Sequence, residues 1–134
     1  MLPKTPSGNL STKMETIYIA GPMTGYPRWN KAEFDHAESI IALRGQEPLN
    51  PFNLNPIPDR ESHEFSNDEY ESLWRECMRR AVAAISTVDR IVVLSGWENS
   101  RGARVEVQLA LDLGIPVETL GMWRITAVPP KEAL

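Results

Sequence analysis

The chain has 134 residues, of which 42% are hydrophobic and 24% charged, with a net charge of −4. Length and composition suit one globular domain of ordinary make-up, large enough to bury a core without a disulfide or metal staple. The acidic balance excludes a general nucleic-acid coat, because no broad positive surface offsets phosphate repulsion; a single small anion pocket is still allowed.

Residues 1–14 are rich in Ser, Thr, Pro, Gly and Lys and read as a flexible N-terminal tail. Residues 16–20, TIYIA, form a short buried strand. A loop follows over residues 21–27, kept irregular by two glycines and two prolines. Asn30 and Glu33 have the spacing of a capping box, so a helix is expected from there to about Arg44, with Phe34, Ala37, Ile40 and Ile41 inward and Gly45 as its stop. Residues 46–49 give a brief second strand, and residues 50–67 a long proline-containing loop, of a length usually functional or mobile.

Ser66 and Glu69 cap the next helix. Its apolar stripe runs through Tyr70, Leu73, Trp74, Cys77, Met78, Ala81, Ala84, Ile85 and Val88. Residues 90–94, RIVVL, are apolar throughout after the first, as suits a strand covered on both faces. A loop over residues 95–100 leads into a helix over residues 101–113, closed by Gly114, and residues 115–117 enter another strand. Residues 119–134 carry weak signals, and Pro129-Pro130 suggests a loose end, so they read as a C-terminal extension to a domain over residues 15–118. Alternation of strands and helices predicts an α/β fold, a parallel sheet of four to five strands with right-handed crossovers.

The one cysteine excludes an internal disulfide, and with two histidines the chain is poor in zinc ligands; no metal is expected. No P-loop or dinucleotide fingerprint is present, and no cofactor is expected. No apolar run approaches the roughly 20 residues of a membrane span, and the first residues lack a signal-peptide core, which predicts a cytoplasmic protein with no membrane partner.

In open parallel sheets ligands bind beyond the carboxyl ends of the strands. On the helix over residues 101–113, Ala103, Glu106, Val107, Ala110, Leu113 and Gly114 share one arc, while Arg104, Gln108 and Asp112 share the other. Glu106 thus faces the sheet, where a carboxylate needs compensation. It is either a structural glutamate bonded to backbone or arginine, or a carboxylate at the base of a ligand cleft. Ser100 and Gly102 open the same helix, so Ser100 is either a plain N-cap or part of an anion site about 9 Å of helix rise from Glu106. Tyr26 and Trp97 follow strand ends and either stack on a base or anchor loops. Arg101 and Arg104 are candidates to reach a phosphate there, Arg104 on the outer arc being either such a contact or simply solvated, whereas His36 and His63 read as surface residues and Cys77 as core.

Two stretches resemble a known family. YIAGPMTG at residues 18–25 is similar to the first strand and loop of the nucleoside 2-deoxyribosyltransferase superfamily, and DRIVVLSGWENSRGARVE at residues 89–106 to its second signature. The wording of the second is close to a small branch found often in phages and prophages. The resemblance covers about residues 15–118 and implies a flavodoxin-like three-layer fold. It further implies cleavage of N-glycosidic bonds in nucleosides or nucleoside 5′-monophosphates and a dimeric or larger assembly in which a neighbour helps complete each site. By the same resemblance Glu106 is the nucleophile and Tyr18, which with Gly21 lines the sugar site, is the second catalytic residue; Ser100 is the phosphate-binding serine, with Pro22, Met23, Gly25, Tyr26, Trp97 and Gly102 as further substrate-binding positions.

The chain departs from the superfamily at one position. An aspartate is usual about eight residues before the aspartate preceding the third strand; counting back from Asp89 gives Ala81. An enzyme acting at C1′ of a nucleoside or nucleotide is therefore weighed against a weakly catalytic or non-catalytic nucleotide-binding protein. A purely structural flavodoxin-like domain is the third reading, against which the inward Glu106 argues.

Overall fold

The structure, a computed structural model, describes residues 13–127, and side chains only as far as Arg124. Most of the expected N-terminal tail and the Pro129-Pro130 pair lie outside the described residues.

Four strands, β1 (Thr16–Ala20), β2 (Glu47–Leu49), β3 (Arg90–Val93) and β4 (Val117–Thr119), form one sheet in the order β2-β1-β3-β4. All three pairings are parallel, with Ile19 opposite Val92 between β1 and β3. This is the flavodoxin-like strand order, an α/β sandwich of three layers. Helices α1 (Lys31–Leu43) and α4 (Leu120–Ala127) cover one face, and α2 (Asn67–Ile85) and α3 (Arg101–Asp112) the other.

Strand alternation divides the core. Ile17 and Ile19 point to one side with Val92, packing on Phe34, Ala37 and Ile41 of α1 and on Leu120 and Trp123 of α4. Tyr18 and Ala20 point to the other with Ile91 and Val93, packing on Ala81 and Ile85 of α2 and Val107 and Ala110 of α3. The C-terminal segment, weak in sequence signals, thus supplies a helix and two side chains to the first core; Thr119 Oγ1 caps it by accepting from the Met122 N–H.

Two local expectations are corrected. Asn30 is no capping-box residue: its backbone is left-handed (φ 68°) and its side chain makes no cap bond. Its amide instead donates to the Pro22 carbonyl at 2.9 Å, tying the turn before α1 to the loop after β1. Leu113 does not join the inner arc of α3; it lies past the last turn and is exposed. The capping box of α2 forms as expected, with Ser66 Oγ accepting from Glu69 N–H and Glu69 reaching back to Ser66 N–H.

Gly21 fixes how the ends of β1 and β3 meet. A Cβ there would sit 2.8 Å from Leu94 Cβ, under contact distance, while the Leu94 N–H donates to the Ala20 carbonyl. Gly21→Ala is expected to destabilise the protein by about 1–3 kcal/mol, the usual scale of an overpacked core. Urea unfolding measures it, and an unchanged midpoint would show that the two strand ends separate freely.

Candidate functional site

The strand order reverses between β1 and β3: β2 lies outside β1, and β4 outside β3. The carboxyl ends of β1 and β3 therefore open into a crevice, the general ligand position of such sheets. The loops after β1 and β2, the N-terminal half of α2 and the start of α3 enclose a cleft of about 350 Å³ there.

Helix length explains one wall. The 19 residues of α2 span about 28 Å, whereas the five-residue β1 spans about 17 Å. Because α2 runs antiparallel to the strands and ends where β3 begins, its overhang is at the N-terminal end, over the carboxyl edge of the sheet. Ala81 and Ile85 cover the sheet, but Tyr70, Leu73, Trp74, Cys77 and Met78 continue the same stripe into the cleft. Cys77, expected in the core, lines the cleft and is half-buried; burial pushes its thiol above the ordinary range.

Glu106 forms the floor. Its side chain leaves the second turn of α3 toward the sheet and is 8% exposed. The Tyr18 hydroxyl, from the middle of β1, donates to Glu106 Oε2 at 2.7 Å. The other oxygen, Oε1, has no hydrogen-bond partner among the described residues. Among the described residues no arginine or backbone N–H neutralises the carboxylate, so the structural alternative for Glu106 finds no compensating partner there. Burial raises its pKa to about 7, opposed only in part by the Tyr18 hydrogen bond. Burial, with the Glu106 charge beside it, pushes the Tyr18 phenol well above its ordinary value.

The loop after β1 supplies Gly21, Pro22, Met23 and Tyr26, and α3 supplies Ser100 and Gly102; all six line the cleft with Tyr18 and Glu106. Gly102 lets α2 and α3 approach, since a Cβ there would lie 3.2 Å from Met78 Sδ. Ser100 acts as the N-cap of α3, its Oγ accepting from the Ala103 N–H at 3.2 Å. Two expected residues are elsewhere. Gly25 is exposed and donates its N–H to Ser62 Oγ of the long loop. Trp97 packs on the core between the sheet and α2/α3 and does not line the cleft.

The arginines have prior commitments. Arg101 Nη1 pairs with Glu71 at 2.8 Å and its guanidinium lies 3.6 Å over the Trp74 ring. Arg104 donates to the Glu98 carbonyl at 3.1 Å. His36 and His63 are exposed and outside the cleft. Asp89 accepts from the Thr16 N–H at the opposite edge of the sheet.

Phe52, Asn55, Pro56 and Pro58 of the long loop close the cleft, a contribution its length alone suggested. The loop is tied back by several bonds: Trp29 Nε1–H to the Arg60 carbonyl, Arg28 N–H to Glu61 and Gly25 N–H to Ser62 Oγ, while Thr24 Oγ1 and the Tyr70 hydroxyl, 2.7 Å apart, join the loop after β1 to α2. Among the described residues no group of three or more His, Cys, Asp or Glu is arranged to hold a metal ion, and no helix is long and apolar enough to cross a membrane.

A family model described as a domain of unknown function, DUF4406, matches residues 15–119. The chain belongs to this family. No curated protein matches it. Among solved structures it is similar to a 2-deoxyribosyltransferase from the psychrotolerant bacterium Bacillus psychrosaccharolyticus, at 19% identity and a TM-score of 0.47, over 78% of this chain and 70% of that one.

Proposed function

We propose that the protein cleaves the N-glycosidic bond of a nucleoside or nucleoside 5′-monophosphate, by hydrolysis or by transfer to a second base, with Glu106 as nucleophile. The observation that carries this reading is the buried carboxylate at the switch point, held through Oε2 by Tyr18 and unpartnered at Oε1. The signature resemblance at residues 18–25 and 89–106 supports it.

In this mechanism Oε1 attacks C1′ as the base departs with the bonding electron pair, through an oxocarbenium-like transition state. Water or another base then releases the glycosyl group. Tyr18 holds the carboxylate in one orientation. Gly21, Pro22, Met23 and Tyr26 flank the sugar and base, and a 5′-phosphate sits at the first turn of α3, near Ser100 and Gly102, where helix N–H groups lack intrahelical partners. A second copy of the chain completing the rim belongs to the same reading.

A monophosphate is expected to bind roughly tenfold to hundredfold more tightly than its nucleoside, the worth of a charge-assisted hydrogen bond. Calorimetry on matched pairs tests this, and equal affinities would remove the phosphate from α3. Incubation with a panel of ribo- and deoxyribonucleosides and their monophosphates, followed by chromatography for free base, tests the chemistry.

A second reading rests on Ala81, which lines the cleft where the resembling family carries an aspartate. With no carboxylate at that position, a nucleotide-binding protein with little or no turnover would give tight binding and no free base in the same experiments.

A further inference from the structure

We propose, building on the reading of the cleft as an N-glycoside site, that its substrates are cationic N-glycosides: nucleotides whose base is already positively charged at the ring bonded to C1′, as in a pyridinium or an N7-alkylated purine.

The first argument is the leaving group. A neutral base departs as an anion unless an acid protonates it, whereas a cationic ring departs neutral and needs no proton. Glu106 is the only carboxylate among the described residues that line the cleft, and no histidine or lysine joins it. The other protons are poorly suited. The Tyr18 hydroxyl is committed to Glu106, and that of Tyr70 is bonded to Thr24. Burial raises the Cys77 thiol, Tyr26 stands at the exposed rim, and the Arg101 guanidinium is paired with Glu71. Glu106 cannot be ionised nucleophile and protonated acid in the same step.

The second argument is charge. An ionised Glu106 has one hydrogen bond and no cation beside it, an expensive state for a buried carboxylate. A cationic ring over C1′ supplies the missing counter-charge. The third is the lining: Phe52, Tyr70 and Trp74 line the cleft, and aromatic faces attract planar cations. Trp74 already carries a guanidinium over its ring.

The step balances without a proton. The Glu106 Oε1–C1′ bond forms as the C1′–N bond breaks, and the electron pair returns to the ring, which leaves as a neutral base. Water then bonds to C1′, Glu106 departs as carboxylate, and the proton of water passes to solvent.

The test compares 7-methylguanosine 5′-monophosphate with guanosine 5′-monophosphate, and nicotinamide mononucleotide with its uncharged dihydro form. Free base is read by chromatography, each rate taken against the uncatalysed one and against Glu106→Gln. The cationic member of each pair is expected to be released at least about a hundredfold faster, the scale of missing acid assistance. Calorimetry on the nicotinamide pair at about pH 8, above the Glu106 pKa and with a pyridinium charge that does not titrate, gives a readout independent of turnover: the cation binds more tightly, and the preference vanishes in Glu106→Gln. Base released equally fast from charged and neutral members overturns this inference and leaves the N-glycosidase reading standing. Binding without release from any nucleotide, charged or neutral, overturns the N-glycosidase reading itself. Equal affinities within the nicotinamide pair overturn the role of charge.

Discussion

Glu106→Gln is expected to abolish base release, by at least about a thousandfold, because an amide oxygen is a far weaker nucleophile and nothing else in the cleft replaces it. Nucleotide affinity falls much less, since the walls and the start of α3 are untouched. The same variant should gain stability at alkaline pH. Burial raises the Glu106 pKa from 4.5 to about 7 in the folded protein. The folded state thus binds the proton more tightly than the unfolded chain. The stabilising contribution of the protonated carboxyl is complete below about pH 4.5 and is lost as pH rises through about 7. That rise corresponds to roughly 3 kcal/mol at most. Glutamine is neutral throughout and can still accept the Tyr18 hydroxyl. Urea unfolding of both proteins from about pH 4 to pH 9 should show the variant drawing ahead of wild type between about pH 4.5 and pH 7 and keeping a constant lead above that. Parallel curves would mean that Glu106 ionises in contact with water, and the buried nucleophile would go with them.

The periodic parts of the chain were legible because burial repeats at the spacing of the backbone. Strand β1 has the bounds its TIYIA run predicts, and the α3 wheel put Glu106 on the inner face without any knowledge of its partner. Tyr18 was placed at the site only by the family resemblance, since an inward tyrosine on a strand has no pattern of its own. What failed did so where tertiary contacts overrule local preference. Arg28, Trp29 and Asn30 are all left-handed, a costly run for residues other than glycine. It is held by the buried Trp29, whose indole donates to Arg60 and whose ring meets Phe65 edge-on at 5.7 Å. No local signal announces such a turn, so Asn30 read as a helix cap. The α2 stripe told which face is apolar but not what lies across from it. Comparing the helix with the much shorter strands was the available clue that half the stripe overhangs the sheet. Trp97 shows the converse: an aromatic after a strand end is within reach of either the cleft or the core, and packing decides.

Ala81→Asp is expected to raise hydrolysis of ordinary, uncharged nucleotides by about a hundredfold, the lower part of the range for general acid assistance. Ala81 is 4% exposed and lines the cleft one turn beyond Cys77, so a carboxyl there is poorly hydrated. Burial favours its protonated form, the form an acid needs. Release of cationic bases should change little, because they require no proton, and the gap between charged and neutral substrates should narrow. Stability should fall, since a polar group replaces a methyl on an inner helical face. Ala81→Asn controls for size and polarity: it should cost similar stability and give no gain in rate. A folded aspartate variant with no gain, beside a wild type already fast on neutral nucleotides, would place the acid elsewhere. Two carboxylates of the long loop are engaged by backbone N–H groups, Glu61 by Arg28 and Glu64 by Glu61. Asp59, exposed and next to the cleft-lining Pro58, would then be the first residue to replace, followed by the carboxylates a second copy of the chain brings to the rim.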